Sequence, residues 1–204
     1  MKNIFVFTVY FFIAISCKAQ TIVPLSQDHS DMYHKSNTYT KDVDNEFDKY
    51  TGTWKFQQGN TTLTIVFKKI IFDYYQKKNY YEDLLIGEYK YIENGIEKVN
   101  TLSILSNPPS TTGGYNIYGN RIVHRGVYPQ CPECLLNEKR VILFINDSER
   151  EYLDNAIVLR YKNENGVEKI IAKIFKNGTS FMPPDNAPDE MRLPYGEYVL
   201  IKQP

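Results

Sequence analysis

The sequence is short of the residues that most often carry chemistry, and each shortage removes a class of function. It holds 3 Cys, 3 His and 1 Trp in 204 residues. Cys131 and Cys134 have no second cysteine pair to complete a four-thiolate zinc site, so zinc there would need His124 and a carboxylate brought in by the fold. No Ser or Cys stands in a nucleophile elbow, which leaves no triad to assemble. Charge of neither sign is in excess, at 24 Lys and Arg against 24 Asp and Glu. No five like charges run together, so nucleic acid has neither a general nor a local electrostatic grip. Long apolar runs are missing as well: Ile4 to Ile15 covers 12 residues, against the roughly 20 that a membrane-spanning helix needs. Nothing in the pattern calls for a cofactor or a resident metal, and a monomer is expected.

What is present begins with the order of an export signal: Lys2, the apolar run, then small residues and Cys17. The segment Ala14-Ile15-Ser16-Cys17 resembles the lipobox of bacterial lipoproteins, which are cut before a cysteine that carries diacylglycerol. Cleavage after Ala19 instead would leave Gln20 as a soluble N-terminus. Residues 1–19 are therefore read as export signal, and either cut places the mature chain outside the cytoplasm. The expected locations are the cell envelope, as an outer-membrane lipoprotein or in the periplasm, or the secreted fraction. Membrane contact is expected only through a lipid on Cys17. Residues 18–45 are polar and without apolar period, and read as a flexible tether of roughly 30 Å, long enough to hold the domain clear of the membrane.

From residue 46 to 204 the chain reads as strands and turns. Leu63, Ile65 and Phe67 alternate with Thr62 and Thr64, the period of a half-buried strand. Asn165-Gly166 suits a two-residue type I′ reversal, because both positions tolerate positive φ. With the turn there, Tyr161 faces Ile170, Leu159 faces Ala172 and Ile157 faces Ile174, while Arg160, Lys162, Lys169 and Lys173 share the other side. Asn94-Gly95 predicts a second hairpin with Leu85 opposite Ile104, Gly87 opposite Leu102, Tyr89 opposite Asn100 and Tyr91 opposite Lys98. Further strands are expected at residues 121–127, 141–145 and 195–201. The expected fold is all-β: an antiparallel meander of eight to ten strands closed into a barrel, which hides its edges. A β-sandwich is the alternative.

The opening of this domain, Asp44 to Tyr50 as one helical turn, then Gly52-x-Trp54 and a strand, resembles the start of the lipocalin-like (calycin) barrels. That resemblance implies that Gly52 lets the chain turn in and that Trp54 plugs one end of the barrel. The lipocalins proper have a mid-chain Thr-Asp-Tyr segment and a late arginine across the indole. Neither is found here, and Lys202 is the candidate cation–π partner. From "SCKAQ" to "GEYVLIK" the chain also resembles a family of uncharacterised exported proteins from Bacteroidetes-type bacteria, which implies an envelope location and no chemistry.

Four places carry candidate sites. Cys131 and Cys134 flank a two-residue loop, and the expected state is a disulfide that shapes the loop. His124 is expected on a strand face. Asp185, Asn186, Asp189 and Glu190, among four prolines between Met182 and Pro194, offer oxygen ligands for calcium but fit a stiff surface loop more simply. Tyr74, Tyr75, Tyr80 and Tyr81 surround a basic turn, and at a barrel mouth their rings would grip an apolar or sugar ligand by stacking. The function expected is a non-catalytic envelope protein that binds a small apolar or sugar ligand. The alternatives are a protein-binding module, an inhibitor or immunity-type partner working through residues 107–114 and 182–194, and an envelope enzyme using Cys131 and Cys134.

Overall fold

Reversals at Asn and Gly positions set the frame. In the computed structural model, which describes residues 20–27 and 34–204, Asn94, Gly95, Asn165 and Gly166 all have positive φ, as type I′ hairpins require. The expectations for the export signal and Cys17 lie outside the described residues. Eleven strands follow one another: β1 (Thr21–Pro24), β2 (Thr38–Lys41), β3 (Gly52–Gln58), β4 (Thr61–Tyr75), β5 (Tyr80–Glu93), β6 (Ile96–Asn100), β7 (Ile117–Val123), β8 (Arg140–Ile145), β9 (Asn155–Glu164), β10 (Val167–Lys176) and β11 (Gly196–Lys202). Eight of them, β3, β4, β5 and β7 to β11, form a closed antiparallel barrel in which each pairs with the next and β11 returns to β3.

The β9–β10 hairpin has the expected register, with Tyr161 opposite Ile170, Leu159 opposite Ala172 and Ile157 opposite Ile174. The β5–β6 hairpin does not. A bulge between Tyr91 and Ile92 shifts the pairing by one, so Tyr91 faces Val99 and Lys90 faces Asn100. The physical reason is burial: the shift sends Val99 into the core and leaves the Lys98 ammonium to reach Glu93. Beyond Asn100 the chain leaves the sheet for a 3₁₀ turn, Leu102–Leu105. Leu85 and Gly87 therefore pair with Gly119 and Ile117 of β7, not with Ile104 and Leu102. The strand expected at 121–127 is likewise displaced to β7, because a turn closed by Val127 N–H to the His124 carbonyl ends it. His124 is exposed in that turn.

The outer edge of β5 is shared by three partners: β2 at Tyr81 and Glu82, β7 at Leu85 to Gly87, and β6 from Lys90. Here the tether reading is corrected. Residues 21–24 and 38–41 of the stretch assigned to it are strands, β1 pairing β2 and β2 pairing β5, both parallel. Val23, Leu25, Thr38 and Thr40 are buried, so two of this stretch's apolar side chains join the packed domain.

Side chains pointing inward from all eight barrel strands meet in one buried cluster, with Phe47, Tyr50 and Trp54 among its largest members. A 3₁₀ turn at Asp48–Tyr50 leads into Gly52 at φ +113°, Trp54 is fully buried and its Nε1–H donates to the Tyr50 carbonyl at 2.7 Å. Lys202 Nζ lies 5.5 Å from the indole centroid.

Candidate functional site

The four predicted tyrosines come together on the β4–β5 hairpin. Tyr74 is in register with Tyr81 and Tyr75 with Tyr80, with ring centroids 4.9 and 5.1 Å apart. None of the four belongs to the cluster that fills the barrel; their rings pack on one another and on neighbours outside the lumen. Tyr80 stacks on His34 at 4.7 Å, and the His34 Nε2 lies 3.0 Å from the buried Glu82 carboxylate, which also accepts from Asn120 at 2.6 Å. Tyr81 stacks on Phe72 at 4.1 Å.

A second site lies on the outer wall, where the segment after β7 folds back over β8 to β11. Cys131 and Cys134 are joined in a disulfide, as the spacing predicted. Glu133 Oε1 lies 3.0 Å from Cys131 Sγ. Cys131, Glu133 and Cys134 are the one group of three or more convergent metal-type ligands among the described residues, and the disulfide occupies both sulfurs. His124 is not part of it, and the carboxylates of Asp185, Asp189 and Glu190 do not converge.

Beneath this loop is a cleft of about 230 Å³ lined by Glu133, Arg140, Val158, Arg160, Lys173 and Glu197, among others, with Glu197 in register with Lys173. Arg140 begins β8 and is buried. Its guanidinium donates to the carbonyls of Pro129 at 2.6 Å, His124 at 2.8 Å and Val127 at 3.0 Å, which ties the loop to the wall. It makes no ion pair with a carboxylate among the described residues, its Nε has no hydrogen-bond partner, and burial lowers its pKa. A buried cation satisfied mainly by carbonyl oxygens favours an anion nearby. Arg160 is committed elsewhere, to Glu138 at 2.6 Å and Glu133 at 3.2 Å. The Arg160 hydrogen bonds hold Glu138 at about 2. Lys173 is exposed at the rim and makes no ion pair among the described residues.

Sequence reasoning missed Arg140, Glu88 and Asp147, because their partners lie far away in the chain. Glu88 faces outward from β5, yet it is buried and accepts from the Asn116 N–H at 3.0 Å and the Asn116 amide at 2.8 Å. Burial raises its pKa against these hydrogen bonds. The pair pins the 101–116 segment, including the expected interaction loop 107–114, onto the wall. Asp147 is fully buried. Burial pushes its carboxyl up, but hydrogen bonds from Arg192, at 2.8 Å from the N–H and 2.9 Å from Nε, outweigh this and hold it below its ordinary value.

These features define a closed eight-stranded antiparallel barrel, whose inward side chains pack in one buried cluster, with a cleft of mixed charge on its outer wall. By its sequence from residue 1 to 203, the chain belongs to a family of unknown function, DUF6705. No curated protein and no solved structure matches it.

Proposed function

We propose that this is an exported, non-catalytic binding protein, lipid-anchored at Cys17, that holds a small anionic ligand, such as an acidic sugar, in the outer-wall cleft. The observation that carries the reading is Arg140: a buried guanidinium that makes no ion pair among the described residues, with Glu133 and Glu138 acting on it only from a distance, beside a cleft that Lys173 borders. The seat lies on the wall because the inward side chains already occupy the barrel. Val158 and Ile171 supply an apolar floor for the uncharged part of a ligand. The reading is non-catalytic because the buried carboxylates of Glu88 and Asp147, and Glu138 beside the cleft, each serve a structural contact.

Calorimetric titration with a uronic acid, a sugar phosphate and the matching neutral sugar tests this. The acids are expected to bind, the neutral sugar is not, and Lys173→Ala should weaken binding about tenfold or more, the order of one charge-assisted hydrogen bond. Absence of heat from either acid, or affinity untouched by the substitution, removes the reading.

A second reading, a protein-binding module, is supported by the exposed apolar side chains Leu135, Leu136, Phe181 and Met182 in the loops. Exposed apolar surface of this kind marks contact sites when it is contiguous. Replacing Leu135 and Leu136 with Ser should then abolish capture of a partner without altering sugar binding.

A further inference from the structure

We infer that the face built by Ile22, Tyr39, Phe72, Tyr74 and Tyr81 rests against the surface of a lipid bilayer. Ile22 is in register with Tyr39, Tyr39 with Tyr81, and Tyr81 with Tyr74. Residues in register on adjacent strands project from the same side of a sheet, so β1, β2, β5 and β4 present one continuous row. Phe72 lies over this row, stacked on Tyr81 at 4.1 Å and edge-on to Tyr39 at 4.8 Å. Ile22 is 53% exposed, Phe72 and Tyr74 48% each, and the adjoining Ile71 68%.

This exposure is held in place by the fold. Phe72 has φ +58° within a bulge between Ile70 and Asp73, a conformation that a bulky residue keeps only where its surroundings enforce it. The enforcement comes from Asp83, which is buried and accepts the Phe72 N–H at 3.0 Å, the Tyr39 hydroxyl at 2.6 Å and the Asp42 N–H at 2.9 Å. Lys77 and Lys78 follow at the hairpin turn, both exposed. Tyrosines and lysines around apolar side chains are the composition of a membrane–water interface, where the rings sit at headgroup level and the ammonium groups meet anionic lipid.

Chain length selects a membrane as the occupant, and this step rests on the lipid-anchor part of the proposed function. Gln20 is tied to the wall, its Nε2 donating to the Thr38 carbonyl at 3.0 Å, and β1 starts at the next residue. Two residues, Lys18 and Ala19, separate Cys17 from Gln20, so three Cα-to-Cα steps give a reach of at most roughly 11 Å. A diacylated Cys17 therefore brings β1, and the face that Ile22 begins, down to the headgroups.

The test uses processed protein recovered from the producing cell, with its mass showing whether Cys17 carries diacylglycerol, and the unlipidated Cys17→Ser form beside it. Phe72→Trp is the reporter, with Ile71→Trp as a second reporter should the bulge reject indole; Trp54 is buried and serves as background. On vesicles of phosphatidylethanolamine and phosphatidylglycerol the reporter is expected to shift to the blue and to be quenched by brominated acyl chains. The same substitution at Phe144, which is exposed on β8 away from this row, should do neither. Charge reversal at Lys77 and Lys78 should reduce the response. If the mass shows no lipid, the anchor reading falls, and the face is judged by the vesicle response of the processed protein alone. Silence from both reporters on the processed protein, or an equal response from Phe144→Trp, overturns the inference, whereas a response lost only in the Cys17→Ser form supports the anchor as what brings the face down.

Discussion

At the scale of single residues, ion pairs that fix loops to the wall decide the response to acid. Arg160 holds Glu138 at about 2, below the ordinary value near 4.3. A carboxylate depressed in the folded state contributes stability that is complete above its unfolded pKa and is lost as pH falls through the folded one. The gap in urea midpoint between wild type and Glu138→Gln should thus be full at neutral pH, shrink below about pH 4.3 and close near 2. A gap that stays constant across that range would assign the effect to packing. Asp147 gives a larger effect. Asp147→Ala removes a fully buried acceptor and leaves Arg192 with Glu149 and the Lys98 carbonyl, so it should cost about 1 to 3 kcal/mol by equilibrium unfolding. Neither pair was legible in the sequence. Arg192 lies in a proline-rich stretch that reads as a stiff surface loop, and only the folded chain puts it on Asp147. The same stretch sends Met191 and Leu193 into the core, where no alternating pattern announced them.

At the scale of elements, the two Asn-Gly hairpins show where sequence pattern suffices and where it does not. Ile157 and Leu159 on β9 and Ile170, Ala172 and Ile174 on β10 all point inward and are buried, so a slip of one residue by either strand would turn that strand's inward set to water, and the pattern admits a single register. β6 carries two apolar residues of opposite parity, Ile96 and Val99, so alternation points only one of them inward, and a bulge meets that demand as readily as a regular ladder. The structure chooses the bulge. It follows that Val99→Ala should cost about 2 kcal/mol, from lost apolar burial plus the space left behind. Lys98→Ala should stay within about 0.5 kcal/mol, as surface changes do. Reversed magnitudes in urea unfolding would restore the unbulged register. The outer pin belongs to the same scale: Asn116→Ala takes the side-chain amide donor from a buried carboxylate, leaving the backbone N–H in place, and should cost about 1 to 3 kcal/mol. Increased hydrogen exchange confined to residues 101–116 would locate that loss in the segment pinned to β5. Strands β1 and β2 escaped sequence reading because each is four residues long, parallel, and outside the barrel ring, so alternation had too few positions to register.

At the scale of the whole molecule, the legible part was the architecture and the illegible part was its exterior. Alternating inward residues and tight reversals specify a meander, and a meander with apolar residues on one face closes to remove its edges. What lies outside the ring is held by contacts between distant residues, which is why the cleft, its buried Arg140 and the row beginning at Ile22 had no signature. Closure is also the step on which the rest depends. The seam between β11 and β3 is short, with Ile201 opposite Lys55 and Lys202 opposite Trp54, extended by the Gln203 N–H to the Thr53 carbonyl at 2.8 Å. The same strand carries Tyr198 and Leu200 into the core. Deleting residues 196–204 would remove both side chains, uncover Trp54 and leave β3 and β10 as open edges facing an apolar interior. Such edges recruit other chains, and with the core opened no subset of strands retains a complete apolar face to bury. The truncated protein should therefore lose its single sharp unfolding transition in urea and elute as oligomers on size exclusion, whereas Val199→Ser, on the outward side of the same strand, should do neither. A truncated chain that remained monomeric and unfolded cooperatively would show that the sheet is stable open, and that the barrel is held by its hairpins and not by its seam.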